Sequence, residues 1–394
     1  MRICFITGDA FSLGGVQRVL SVVASELSKE HDVEIICTQN TKINRSMYGL
    51  DNKVIVRIQK DILLKKNILT KIYCKIGRKL NTTTNLFNNR YMSGLLENFY
   101  FPKEIKTNMV KLLNSKNYDI VIGVEGELSL LLGSIANRIN AKTIGWQHNS
   151  YEAYLKNINR YYWKQDALFE RLIPRLSKYI VLTSHDKNMF KKNNKIDSEV
   201  IFNPRSFKSI EKSSVNKKQF LAAGRFNYQK GFDLLIEAFN IFSRSDKEWS
   251  LVIVGEGEEQ ENLINLIKKY KLENRIKIER FTDNIKEYFL SSSVLLLSSR
   301  WEGMPMIALE SLELGVPIIA YDITAVNQII KNNIHGLIVP KFDIVEYANS
   351  MHICANSYDL REKMSAECIK RSREFDIEEI ARKWDNLFQS LSNK

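Results

Sequence analysis

The sequence predicts an α/β protein built from two successive parallel-sheet domains. Three observations predict it: the chain length, a strand–loop–helix–strand rhythm in the first forty residues, and a restart of that rhythm near residue 219. A chain of 394 residues is more than one ordinary core organises, so two domains are expected. With 44% apolar and 26% charged residues, the composition is that of a soluble globular protein.

RICFIT is a short apolar strand. A loop through Gly14 and Gly15 follows, then the amphipathic segment VQRVLSVVASELSKE and a second strand, VEIICT. This β–loop–α–β unit opens a parallel, doubly wound sheet. Further strands are expected at DIVIGV, AKTIGW and KYIVLTS, whereas residues 60–116 read as less regular and helical. Pro204 and the polar stretch SIEKSSVNKK mark a linker. Beyond it, QFLAAGRF is a strand and turn, GFDLLIEAFNIFSRS a helix, WSLVIVGEG a strand and EEQENLINLIKKYK a helix. RIKIERF, VLLLSS and PIIAYD complete the strands.

Two facing Rossmann-like domains with parallel sheets are therefore expected, at 1–204 and 205–375. Such sheets bind ligands beyond the carboxyl ends of their strands, which makes an inter-domain cleft the expected site. Neither half carries G-x-G-x-x-G after its first strand, which argues against a dinucleotide enzyme.

The five cysteines are scattered with no C-x-x-C pair, which argues against a zinc site or a disulfide framework and fits a reducing cytoplasm. MRICFITGDAF is too short an apolar stretch for a secretory signal, and no run approaches the roughly 20 apolar residues of a spanning helix. The expectation is a soluble, cytoplasmic chain, peripheral on the inner face of a membrane at most. Net charge is +13, and between Arg57 and Lys116 thirteen Lys or Arg face three acids. A solvated surface, an anionic membrane and nucleic acid all fit that excess. Interleaved Ile62, Leu63, Leu64, Ile68, Leu69, Ile72, Tyr73 and Ile76 suit a membrane-facing helix better than a nucleic-acid groove.

The stretch RWEGMPMIALESLELGVPIIA places Glu302 in a Gly-Met-Pro loop and Glu310 in an apolar run. Pro305 suits a first helical position and Gly315 a position just past a helix end, so a helix over about 305–314 is expected. Glu302, Gly303 and Met304 then lie where free N–H groups and the helix dipole gather. The two carboxylates can accept hydrogen bonds from hydroxyls of one polar ligand while the N–H groups hold an anion. A capping carboxylate plus an exposed helix glutamate is the plainer alternative. Arg225 and Lys230 flank a strand–helix loop in GRFNYQKGFDLLIEAF, an arrangement that suits a diphosphate. Loop charges serving solubility are the alternative there.

GRFNYQKGFDLLIEAF, VIVGEGEEQENL, SSRWEGMPMIALESLELGVPIIA and HGLIVP together closely resemble the family 4 (group 1) retaining glycosyltransferases of the GT-B fold. The resemblance runs over about 219–341, with Glu302 and Glu310 as the family's Glu-x7-Glu. GGVQRVL and GWQHNSY look like its more variable acceptor domain. The resemblance implies that Glu302 binds donor-sugar hydroxyls, helped by the N–H groups of Gly303 and Met304, and that Glu310 binds the ribose. It implies that Arg225 and Lys230 neutralise the diphosphate, and that Gly14 and Gly15 let the first helix approach the phosphates. His148 would contact the sugar near the reacting carbon, although a lone His is more often structural. A terminal helix over about 376–394 would pack back onto the first domain. Thr324-Ala325 and Gln328 stand where the family has glycines and a glutamate, and Arg280 where a glycine is common. These departures leave the base and sugar open.

The activity implied is retaining transfer of a hexose or N-acetylhexosamine from a nucleotide sugar, in the first instance a UDP-sugar. The acceptor would be a glycan or a polyprenyl-diphosphate-linked glycan of bacterial surface polysaccharide. No Asp-x-Asp occurs, so no metal or other cofactor is expected; cationic side chains and helix N-termini would stabilise the leaving diphosphate. With no convincing carboxylate nucleophile in the motifs, same-face attack is the preferred route. A sugar-nucleotide epimerase, a glycogen-type synthase, or a nucleic-acid-binding module are the competing readings. Intact Arg225, Lys230, Glu302 and Glu310 argue against the last.

Overall fold

The computed structural model describes residues 1–64 and 67–392. Lys65 and Lys66, part of the basic stretch singled out above, lie outside the described residues. By contacts the chain divides into two units, one of 1–12, 16–202 and 380–394, the other of 13–15 and 203–379.

In the first unit seven strands form one sheet: β1 Arg2–Thr7, β2 Asp32–Cys37, β3 Ile55–Ile58, β4 Ile120–Val124, β5 Lys142–Trp146, β6 Lys178–Val181 and β7 Glu199–Val200. All pairings are parallel, in the order β3-β2-β1-β4-β5-β6-β7. β1 is apolar and buried over five of its six residues because helices cover both faces of a central parallel strand. Ile3 registers with Val33 on one side and Ile120 on the other. The helix Gly15–Leu27 turns its Val19, Leu20, Val23, Ala24 and Leu27 inward, the three- and four-residue spacing of an amphipathic helix. Among the described residues, the region 60–116 supplies the helices Ile68–Thr84, Ser93–Tyr100 and Lys103–Asn114. From the C-terminal helix Ile377–Ser392, Trp384 packs edge-on against Trp146 at 5.0 Å, while Asp385 meets His31 at 2.8 Å.

The second unit holds β8 Gln219–Ala223, β9 Ser250–Val254, β10 Ile276–Glu279, β11 Val294–Leu297, β12 Ile318–Tyr321 and β13 Gly336–Val339. They too form a parallel sheet, in the order β10-β9-β8-β11-β12-β13. Chain entering and leaving this unit is fastened by Arg205, 8% exposed, which donates to Glu313, Ser372 and Asp376. Glu313 also accepts from Ser209 N and Lys212 Nζ, both at 2.7 Å.

Candidate functional site

The second sheet reverses direction between β8 and β11, the switch point at which a crevice opens beyond the carboxyl ends of the strands. Both loops bearing the predicted charges leave the sheet there. After β8 the chain runs through Arg225 to Lys230, and after β11 through Ser298 and Ser299 to Glu302. At Gly231 φ is +63°, and a Cβ would stand 2.2 Å from the Ser298 carbonyl oxygen, so only glycine lets the loops come this close. Lys230 Nζ donates to Glu302 Oε1 at 2.6 Å, and Ser299 Oγ donates to the same oxygen at 2.7 Å. Ser298 Oγ donates to the Lys230 carbonyl at 2.9 Å. A carboxylate only 7% exposed is thus compensated by a cation and a hydroxyl, as burial requires.

Eight residues on, Glu310 lies in the helix Met306–Glu313 and is 1% exposed. Ser206 Oγ donates to its Oε1 at 2.7 Å. The alternative of an exposed helix glutamate therefore fails. Pro305, with ψ of 114°, precedes the helix instead of opening it; its extended backbone ends the Gly303-Met304 loop one residue later than the sequence suggested. No acid occupies the first turn, leaving the positive end of the helix dipole free of a compensating side chain there. Gly315, φ +69°, follows the helix in the left-handed conformation expected past its end.

Arg225 is exposed, and its guanidinium donates to the Leu13 carbonyl; Leu13–Gly15 counts by contacts with the second unit. A Cβ on Gly15 would meet Met306 Cγ at an ordinary 3.7 Å, so packing within the protein does not demand glycine there.

His148 belongs to the first unit, just past β5. It is 9% exposed, with its ring 4.3 Å from that of Trp146, and its Nε2 makes no hydrogen bond with any described group. Burial pushes its pKa down to about 3, so the imidazole is neutral at ordinary pH. The structure gathers Arg225, Lys230, Glu302, Gly303, Met304 and Glu310 in the second unit and holds His148 in the first.

Two supporting groups were missed in the sequence, Ser299 and Ser206. Ser299 is only three residues from Glu302, but the two lie in an irregular loop where spacing alone does not signal their bond. Ser206 lies 104 residues from its partner and leaves no local signal. Arg300 was also missed; it grips Asp233 with two bonds of 2.9 and 2.6 Å and covers the Tyr228 ring at 3.9 Å, bracing the loop of Lys230. All five thiols are buried, and burial raises those of Cys4, Cys37, Cys354 and Cys368, so these four stay protonated and unreactive. Among the described residues no cluster of His, Cys, Asp and Glu could hold a metal ion.

Two parallel-sheet α/β units, the second with its crevice at a switch point, are the architecture of the GT-B fold. Residues 205–371 match the family described as Glycosyl transferases group 1, and the chain is a glycosyltransferase. The amylovoran biosynthesis glycosyltransferase AmsD of Erwinia amylovora is 27% identical over 387 residues, which cover 95% of each chain. The Campylobacter jejuni GalNAc-alpha-(1->4)-GalNAc-alpha-(1->3)-diNAcBac-PP-undecaprenol alpha-1,4-N-acetyl-D-galactosaminyltransferase is 26% identical over 404 residues, covering 100% of this chain and 99% of that one. In fold, the chain is similar to Staphylococcus aureus TarM, solved with fondaparinux, alpha-GlcNAc-glycerol and UDP. The TM-score is 0.75 at 13% identity, over 98% of this chain and 99% of TarM.

Proposed function

We propose that the protein is a retaining glycosyltransferase that moves a hexose or N-acetylhexosamine from a UDP-sugar to a glycan or polyprenyl-diphosphate-linked acceptor, building bacterial surface polysaccharide. The observation that carries this reading is the Lys230–Glu302 pair at the switch point, with Glu310 buried one helix segment further on. In this reading Glu302 exchanges its protein donors for sugar hydroxyls, and Lys230, released, turns to the departing diphosphate beside Arg225. Glu310 takes the ribose. The N–H groups of Gly303 and Met304 and the helix N-terminus add positive potential where charge develops. His148, neutral, serves as a hydrogen-bonding wall near the anomeric carbon, not as a proton store.

The names of similar proteins support parts of this reading: a polysaccharide pathway for AmsD, an undecaprenyl-diphosphate-linked glycan for the Campylobacter enzyme, and UDP in the TarM structure. Same-face attack, with the leaving phosphate taking the acceptor proton, needs no metal and no carboxylate nucleophile. The enzyme would work at the cytoplasmic face of an anionic membrane without entering it. A panel of UDP-, GDP- and ADP-sugars read by protection against thermal unfolding tests the donor. Anomeric configuration of the product, read by NMR, tests retention; an inverted product overturns it.

A further inference from the structure

Within the first unit, the backbone at His148 and the ring of His148 are held by different means. The backbone is tied on both sides. The Gln147 side chain donates from Nε2 to the Asn149 carbonyl and accepts from the Tyr179 hydroxyl at 2.9 Å. His148 N itself donates to the Tyr154 hydroxyl at 3.4 Å. The ring has no such tie, for its Nε2 makes no hydrogen bond with any described group. Burial alone lowers its pKa, so no described carboxylate sets its plane or tautomer in the way that a hydrogen bond to the second ring nitrogen does.

What the ring does touch is indole. Trp146, the buried last residue of β5, packs against His148 with ring centroids 4.3 Å apart and planes tilted by 53°. On Trp146 in turn pack Phe5 of β1, at 6.1 Å, and the fully buried Trp384 of the C-terminal helix. The helix is anchored beside Trp384, by Asp385 on His31 and by Phe388, whose ring lies 5.8 Å from the Trp384 ring. Trp146 Nε1 and Trp384 Nε1 are both buried without a hydrogen bond to any described group. A buried indole ordinarily finds a partner for its N–H, and leaving it unpaired is costly. Phenylalanine would fill an apolar core without that cost, so two such tryptophans point to a demand on ring shape.

We propose that Trp384 is a positioning residue for glycosyl transfer: the C-terminal helix, acting through Trp146, sets the plane in which His148 presents Nε2 to the sugar. The proposal rests on the role read above for His148 and adds the residue that fixes its ring. A ring held by packing keeps its orientation only while every member of the stack stays in place. With Trp384 shortened, Trp146 gains room towards the helix, and His148 loses the surface that orients it. Donor affinity, carried by the second unit, would be little changed. The loss falls on the step in which the anomeric carbon reacts.

Three variants of the full chain test it. Trp384→Leu fills the position without a ring, and Trp384→Phe keeps an aromatic edge. Leu391→Ala, about two turns further along, empties a buried position of the same helix. NMR of the labelled His148 ring, its signals identified by their loss in His148→Asn, reads orientation, because a ring 4.3 Å from an indole carries its ring-current shift. Kinetics use the nucleotide sugar that the thermal-protection panel selects. In Trp384→Leu the ring signals should move and kcat should fall roughly ten- to hundredfold, with KM for the nucleotide sugar within about twofold of wild type. Trp384→Phe should recover most of both, and Leu391→Ala, whatever it costs in melting temperature, should leave both as in wild type. Unmoved ring signals in Trp384→Leu overturn the proposal. So does a kcat loss in Leu391→Ala as large as that in Trp384→Leu, the mark of a merely structural role. Wild-type turnover in His148→Asn would refute the reading of His148 at the sugar and the positioning role with it; moved ring signals in Trp384→Leu would then place the fault in that reading and not in the packing.

Discussion

Lys230 and Glu302 are joined across the ends of β8 and β11 by a largely buried ion pair, Nζ to Oε1 at 2.6 Å. The Lys230 side chain is 18% exposed and that of Glu302 8%. The two cations expected at the diphosphate therefore differ. Removing Lys230 strands a buried carboxylate with one hydroxyl, whereas removing Arg225 takes only an exposed donor from the Leu13 carbonyl. Lys230→Met should cost about 3 kcal/mol of stability, the lower end for breaking a buried pair. Arg225→Ala should stay within about 0.5 kcal/mol. Both should cut turnover by roughly 10²–10³ if they face the developing anion. Chemical denaturation beside steady-state kinetics checks this, and near-wild-type turnover in both variants sinks the diphosphate assignment.

The glutamates should separate by ligand. Glu310→Gln keeps an acceptor for Ser206 but loses the charge offered to the ribose, so bare UDP should bind at least several-fold more weakly. Glu302→Gln should leave UDP affinity nearly unchanged and damage turnover of the UDP-sugar. Calorimetry with UDP alone decides, and equal losses in both variants would mean the roles are misassigned.

The buried imidazole makes an acid-stability prediction. The folded pKa of His148, about 3, lies below its ordinary 6.5. Between those values the unfolded chain binds a proton that the native protein does not, so stability rises with pH and is lost as pH falls from 6.5 towards 3. The slope is about 1.4 kcal/mol per pH unit inside the window. Asp186, pushed up to about 6 by burial, acts with the opposite sign between 3.8 and 6, and it is common to both proteins compared. Urea melts of wild type and His148→Asn at pH 7 and pH 5 should therefore show a smaller acid loss in the variant, by about 2 kcal/mol. Parallel losses would mean that His148 is reached by water and protonates in place.

How much of this was legible depends on the range of the signal. The strands carried themselves, because a doubly covered parallel strand such as β1 is apolar along its whole length. The short β3, β7 and β13 were not singled out as strands, having two to four residues each and little pattern of their own. Glu302 stood out through its loop and helix context, and its partner Lys230 through the loop after β8, but nothing local said that they would pair over 72 residues. The outward face of Ile68–Thr84 was readable as a periodicity; only the fold shows that Cys74, Gly77 and Asn81 take the inner side and leave the larger residues outside.

Turnover should persist in excess chelator. In the proposed reading Arg225, Lys230 once released from Glu302, and the N–H groups before Met306 would supply positive potential to the leaving group, the task a bridging cation would otherwise perform. A complete loss in EDTA, restored by a divalent ion, would contradict that.

The last prediction concerns the fastening of the Glu310 helix. Arg205 and Ser206 are neighbours in the chain, and each holds a glutamate of Met306–Glu313: Arg205 grips Glu313, and Ser206 donates to Glu310. Glu313 is 2% exposed and satisfied by four donors, from Arg205, Ser209, Lys212 and Ser372. Charges this deeply buried gain little net stability as a set, yet losing one member is costly because its partners stay buried. Arg205→Met should therefore cost about 3 kcal/mol, with the Glu310 helix loosened and UDP affinity reduced. Replacing both, as Arg205→Met/Glu313→Leu, removes the stranded charge as well. The double variant should lose less than the sum of the single losses, by about 1–3 kcal/mol. Thermal and urea melts of the four proteins complete the cycle. Strictly additive losses would show that the two residues act independently and that the helix is held by its apolar packing alone.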